Sequence, residues 1–494
     1  MMHTTTARTR TTFLLALSLV TWTAPAIVAG DPLSLQECID LAAKQNLGFL
    51  NDRQGLETSR ALLRQAQSKF ELNAVANFTA PEFRDRRDLF ETETALARFR
   101  EENTTMTYSG SLQLSQRIRH LGLISIVSSG RRQDFSSNRR QDFLDVTGDI
   151  QFNYRHDILT TPQDELDLKR AELGLVTGRA NFERRELILE ADVTAAYYDL
   201  VQSIRQLEIQ EQRLEQSRSS LDLAQRKFEI GLIAEVEALQ LSVAKLRAEA
   251  NVAQAETDIE RRRDILRDLL GLEVTEPLRV VTAVGYEVVH IDESRALALG
   301  LARRTDMLEA EILTQIRELN LKETRQRNGL TAVLRATVGL LGRGDELADV
   351  SSNFERNLVT ARIDIQLPLL DSGQRRSQER LAEINLERSQ LSREIQRKDV
   401  TRQIRDAVRN VKEAERQIEL LQAARQFAER TFEVEQSRFE LGLADSQDLL
   451  ISQTALTAAR LDALDAVLNY QRRLKNLHLA TMANLTELAS TPTE

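Results

Sequence analysis

Residue types able to do covalent or metal chemistry are few in this chain and stand far apart. Five histidines lie at positions 3, 120, 156, 290 and 478, and Cys38 is the one cysteine. No Gly-x-Ser-x-Gly elbow, phosphate loop or His-Glu-x-x-His pair occurs, so no nucleophile is spaced from a base and no metal from a ligand pair. The chain reads as a non-enzyme with no cofactor and no metal site. A single cysteine also excludes an intramolecular disulfide framework, leaving packing or assembly to hold the fold. What does recur is a turn: Gln225-Arg-Lys-Phe-Glu-Ile-Gly-Leu232 returns as Gln436-Ser-Arg-Phe-Glu-Leu-Gly-Leu443. A glycine after a long helical pattern can take the left-handed conformation that ends a helix. Gly231 with Leu232 and Ile233, and Gly442 with Leu443 and Ala444, therefore read as the tips of two helical hairpins.

The elements that carry these tips are long. Prolines fall at 25, 32, 81, 162, 277, 368 and 492, leaving proline-free tracts from Gln163 to Glu276 and from Leu369 to Thr491. In the first, Leu200, Leu207, Leu214, Leu221 and Phe228 recur every seventh residue with Ile204 on the same stripe, a coiled-coil seam. In the second, Ile404, Val411, Ile418, Phe432 and Phe439 keep that spacing and Arg425 interrupts it. The two turns are copies at a shift of 211, which also superposes Leu159 on Leu370 and Ala171-Glu172 on Ala382-Glu383. Earlier, Leu41 to Leu47 aligns with Leu301 to Met307 at a shift of 260, so the first half carries about 49 extra residues before Leu159. Each half predicts a short helix, strands, a long helix, a Gly-Leu turn and another helix. The long helices, about Gln163 to Ile230 and Gln374 to Leu441, would each span about 100 Å. Flanking helices over Leu35 to Glu71, Ile233 to Leu270, Glu293 to Asn328 and Ala444 to Leu485 would stack end to end against them.

Between the helices the apolar period changes to two. Val359 to Leu369 alternates strictly, with Thr360, Arg362, Asp364 and Gln366 on the polar side. Leu72 to Ala80, Met106 to Ser115, Leu144 to Arg155 and Leu330 to Leu341 do the same, and Leu123 to Ser128 more weakly. Transmembrane barrel strands have this pattern, and so does a soluble sheet with one wet face. Four to six strands cannot close a wide barrel, and an open edge in lipid leaves backbone groups unpaired, so a membrane reading requires copies to share one barrel. No stretch after the N-terminus approaches the roughly 20 apolar residues of a membrane helix. Residues 1–30 read as an export signal, with Arg8 and Arg10 before the apolar run Phe13 to Val20 and small residues at 24–30. Cys38 lacks the preceding small residues of a lipid-anchor cleavage box. The net charge of −9 contains no basic block, which argues against nucleic acid as a partner.

Taken together, the repeat resembles the TolC-like outer membrane efflux protein family over nearly all of the mature chain. The opening helix Leu35-Gln-Glu-Cys-Ile-Asp-Leu-Ala-Ala-Lys-Gln-Asn46, its twin Leu299-Gly-Leu-Ala-Arg-Arg-Thr-Asp306 and the strand exit Ile365-Gln-Leu-Pro-Leu-Leu-Asp-Ser-Gly-Gln-Arg-Arg376 carry the resemblance with the two Gly-Leu turns. It implies an α+β membrane protein: a duplicated long antiparallel α-helical coiled coil forming a periplasmic tunnel, plus β-strands contributing to a shared trimeric outer-membrane β-barrel. It implies as partners two further copies, a periplasmic membrane fusion adaptor docking on the tips, an inner-membrane transporter and outer-membrane lipid. Glu237 and Asp448 match acidic residues near the family's periplasmic entrance, where a ring of carboxylates would favour cations. The chain departs from the family's gate at three places: Ile451 replaces a second carboxylate, Ala444 an arginine and Phe439 a tyrosine. The expected units are 31–276 and 293–488 as the two repeats, 277–292 as a linker, and 489–494 as a disordered tail. The inserted segment at about 81–143 is expected as a hairpin outside the cell, turning near His120, in preference to extra barrel strands. A periplasmic coiled-coil scaffold or pump adaptor without a barrel is the alternative, separable by membrane fractionation.

Overall fold

The computed structural model describes residues 32–92, 95–138, 140–283 and 285–489. The export signal expected over 1–30 lies outside them, as does the tail beyond Ala489. Ala489 itself bridges Ile291. The chain opens with α1 (Leu35–Gln45) and α2 (Leu47–Ser68), passes through β1 (Asn73–Thr92), β2 (Ala95–Ile118), β3 (Gly122–Ser137) and β4 (Phe143–Asp157), and returns in α3 (Gln163–Glu229) and α4 (Glu235–Leu270). The second half repeats the order with α5 (Glu293–Arg303), α6 (Thr305–Asn328), β5 (Thr331–Gly344), the short α7 (Leu347–Ser352), β6 (Glu355–Gln366), α8 (Gln374–Glu440), α9 (Ser446–Thr481) and α10 (Leu485–Leu488).

The two 67-residue helices α3 and α8 run for about 100 Å each. On α3 lie α1 and α2 in line, with α4 alongside; on α8 lie α5 and α6 in line, with α9 alongside. Two of the expected flanking helices, Leu35 to Glu71 and Glu293 to Asn328, are thus broken once each. Asn46 breaks the first: its side chain accepts from the Phe49 N–H, capping α2, and donates to the Leu269 carbonyl, both at 2.9 Å. Arg304 breaks the second, its guanidinium held by Asp306 and, at 2.7 Å, by Gln403. The caps pair Ser34 with Asp292 and Asn46 with Arg304, two residues out of step with the alignment read from sequence.

Packing gathers in three clusters along the bundle. One surrounds Tyr197, Leu200 and Leu266, one Ile404, Val408 and Tyr470, and one lies at the tips. The segment after Pro277 straps the first two: the Tyr197 hydroxyl donates to the Val281 carbonyl at 2.7 Å, and the Val289 N–H donates to the Tyr470 hydroxyl at 2.9 Å. The seam of α8 is buried as read, with Arg425 exposed. The seam of α3 holds to Leu221 and then turns away, leaving Phe228 exposed and Lys227 buried. There the other hairpin receives the lysine: its ammonium meets the Phe439 carbonyl and lies over the Phe439 ring.

The strands form one antiparallel sheet in the order β1-β2-β3-β4-β5-β6. Its register puts Ala74, Leu114, Ile126, Phe152, Val338 and Val359 directly opposite one another, one apolar residue per strand. One residue along, on the other face, Asn73, Ser115, Ser125, Asn153, Thr337 and Thr360 form an equally complete polar row. The inserted segment is therefore no hairpin outside the sheet: β2 and β3 fill its middle. Their turn, with His120 at φ 60° and Gly122 at φ 104°, lies at the helical end of the sheet and not at the far end. There Arg117 pairs with Asp164 at 2.6 Å, the His120 N–H donates to Glu165 at 3.0 Å, and Arg119 stacks over Phe70. β1 does not stop at Ala80 either. It continues past Pro81 through a register shift between Thr79 and Glu82, which an edge strand allows because proline need not donate to the ladder.

Candidate functional site

Both hairpin tips are built by the same hydrogen bonds. The Gly231 N–H donates to the Phe228 carbonyl at 2.9 Å and the Leu232 N–H to the Lys227 carbonyl at 2.8 Å; Gly442 and Leu443 do the same with Phe439 and Arg438 at 3.0 and 2.8 Å. These bonds satisfy carbonyls that the ending helix would otherwise leave open. They require φ of 76° at Gly231 and 78° at Gly442, a left-handed conformation in which no Cβ is crowded.

Leu232 and Leu443 project into solvent, about two-thirds exposed. Ile233 and Ala444 do not join them. They turn inward and pack on the cluster of Ala224, Leu241, Phe432, Phe439, Leu449 and Leu456, which fuses the two tips into one body. In their place Ile230 and Leu441, the residues just before the glycines, stand exposed. Sequence reasoning missed this pair, although a residue beside a left-handed glycine lies where the helix ends and its packed face is lost. Each tip thus presents two bare aliphatic side chains around a glycine, a small apolar patch.

Lys227 was also missed. Its side chain is 7 % exposed, its ammonium donates to the Phe439 carbonyl, and its Nζ lies 4.5 Å from the centre of the Phe439 ring. A buried cation is costly unless paired, and here a last-turn carbonyl with partial negative charge and an aromatic face receive it. Ser446 with Gln240 at 3.0 Å, and Gln453 with Ser220 at 3.1 Å, add polar links between the hairpins. The three positions at which the sequence departs from the expected gate residues have unlike surroundings. Phe439 is a buried packing residue, Ala444 lies in the tip cluster, and Ile451 is exposed.

Asp448 and Glu237 stand in the first turns of α9 and α4. Asp448 is exposed and Glu237 half-buried. A carboxylate in the first turn interacts favourably with the helix dipole, which accounts for both without any further role. Asp445 caps α9 through the N–H groups of Gln447 and Asp448 at 3.0 and 2.9 Å, leaving the Asp448 carboxylate free to face solvent one turn from Ile451.

Comparison with known proteins bears on this arrangement. The sequence profile of the outer membrane efflux protein family matches residues 165–272 and 301–481, more than half of the chain and both tips. No curated protein matches it in sequence. Among solved structures, the Campylobacter jejuni CmeC outer membrane channel is similar at 14 % identity over 90 % of this chain and 85 % of that one, with a TM-score of 0.66. The Vibrio cholerae outer membrane protein VceC is similar at 16 % identity over 91 % and 95 %, TM-score 0.64. The Neisseria gonorrhoeae MtrE outer membrane channel, solved in its open state, is similar at 15 % identity over 92 % and 91 %, TM-score 0.64.

Proposed function

The chain belongs to the outer membrane efflux protein family, and we propose that it is the passive exit duct of a tripartite efflux pump or type I secretion system. In this reading three copies share one barrel in the outer membrane. A periplasmic adaptor grips the helical tips, and an inner-membrane transporter supplies the energy, since the chain has no nucleotide-binding motif of its own. One observation carries the reading: a sheet whose two faces carry an unbroken apolar row and an unbroken polar row, and whose edges β1 and β6 each have one neighbour only among the described residues. In lipid such edges must pair. An even number of strands places β6 of one copy antiparallel to β1 of the next, so identical copies can close the barrel. Six strands from each of three copies make eighteen, a size at which barrels enclose an aqueous channel. The polar row then lines the lumen and the apolar row meets lipid. Mass measurement of the detergent-solubilised complex tests the reading. We expect a trimer that conducts ions in planar bilayers; a stable monomer without conductance overturns it.

A further inference from the structure

The apolar face of the sheet carries a cavity of about 700 Å³ that the conduction path does not use. Its floor is Gly110, Gly130 and Gly148, directly opposite one another on β2, β3 and β4, in a row that Gly342 continues on β5 and Phe78 on β1. One wall is the α7 segment with Val350 and Phe354, and the other is formed by the rings of Phe78 and Tyr108. Glycine within a strand weakens it unless something needs the room. A Cβ on Gly148 would lie 2.8 Å from Val350 Cγ1, one on Gly342 2.5 Å from the Val350 carbonyl oxygen, and one on Gly110 3.1 Å from the Phe78 ring. Gly130 differs: a Cβ there would meet nothing within 4 Å. Among the described residues no group occupies the room it leaves.

The rim of the cavity is polar. Arg132 follows Gly130 on the same face, opposite Tyr108 on one side and Val146 on the other, and pairs with Asp134 at 3.0 Å. Along β4 the apolar face extends from Tyr154 to Leu144, about 34 Å of strand and so about 25 Å of height at a barrel tilt of about 40°, the height of a lipid-facing band. Arg132, opposite Val146, stands one pleat inside the outer end of that band, from which its long side chain reaches headgroup depth, with Tyr108 beside it as an interfacial aromatic.

Resting on the reading that this sheet spans the outer membrane, we propose that the cavity holds one acyl chain of a phosphate-bearing membrane lipid. The chain lies over Gly130 between Phe78 and Phe354, and its phosphate meets Arg132. Lipid is the occupant because the slot opens on the surface that faces hydrocarbon and ends in a cation at the depth of phosphates. Asp134 beside Arg132 leaves the rim without net charge, which favours a headgroup carrying an ammonium as well as a phosphate.

Native mass spectrometry of the full chain, reconstituted in nanodiscs of equal parts phosphatidylethanolamine and phosphatidylglycerol and then released, reads retained lipid directly. Wild type should keep lipid, with phosphatidylethanolamine preferred. Gly130→Leu, whose Cβ would meet nothing within 4 Å and whose side chain would enter the open slot, should insert, assemble and conduct as wild type does. Its side chain displaces about two methylenes of the guest, weakening retention about tenfold. Arg132→Gln removes the phosphate's partner and leaves Asp134 without its cation, so it should lower retention of both lipids, phosphatidylglycerol the more. Wild type without retained lipid, or Gly130→Leu retaining as much, overturns the proposal, as does a crosslink showing a neighbouring copy in the slot. A chain that never enters membranes fails the channel reading itself, whereas a conducting channel with no Gly130 effect fails the lipid site alone.

Discussion

At the scale of single residues, backbone demands separate two glycines that look alike in the sequence. Gly442 has φ of 78° in open space, so Gly442→Ala adds only left-handed strain, about 1–2 kcal/mol. Gly122 has φ of 104°, and a Cβ on it would stand 2.2 Å from the Arg155 carbonyl oxygen. Thermal unfolding of the purified assembly should show a small downward shift for Gly442→Ala, while Gly122→Ala should prevent the β2–β3 turn from closing and fail to yield a folded assembly. Asp448 supplies the second residue-scale prediction. If a ring of these carboxylates contacts permeating ions, Asp448→Asn should lower cation preference in bilayer conductance and weaken block by multivalent cations. Unchanged selectivity would return Asp448 to the class of helix-dipole charges. Lys227 shows why some residues stay illegible: nothing in Arg-Lys-Phe-Glu says that the lysine and not the phenylalanine will face the core. The carbonyl and ring of Phe439, 212 residues away on the other hairpin, decide it.

At the scale of elements, the hairpin tip is the unit we propose for docking. Replacing Leu232 and Leu443 together with Glu should abolish export while leaving assembly and outer-membrane insertion intact, because carboxylates at an apolar contact oppose its desolvation. Both side chains already face solvent, so the fold has no reason to suffer. Full export by the double variant would exclude docking at these tips. The tips themselves were legible from Gly-Leu after a long helical period. Their apolar membership was not, since Ile233 and Ala444 turn inward and Ile230 and Leu441 outward only once α3, α4, α8 and α9 pack together. Strand ends were equally dependent on neighbours. Pro81 reads as a stop, yet β1 is an edge strand whose ladder passes the proline through a bulge.

At the scale of the whole molecule, the direction of each strand fixes which end of the inserted segment faces which compartment. With β2 and β3 in the sheet, Leu112 and Leu114 lie on the apolar face and His120 lies at the helical end. Cysteines at Leu112 and Leu114, in a Cys38→Ser background, should resist a membrane-impermeant thiol reagent on intact cells. A cysteine at His120 should label only when the periplasm is opened, and ready labelling of all three from outside would restore the external hairpin. Duplication, the lengths of the two long helices, the two turns and the alternation of the strands were determined by the sequence alone, because each is a local period or a repeated word. The place of the insertion in the sheet, the inward turn of Lys227 and the cavity over Gly130 were decided only by tertiary structure. Each depends on which residues, tens to hundreds of positions apart, come to stand opposite one another, and no local period encodes that.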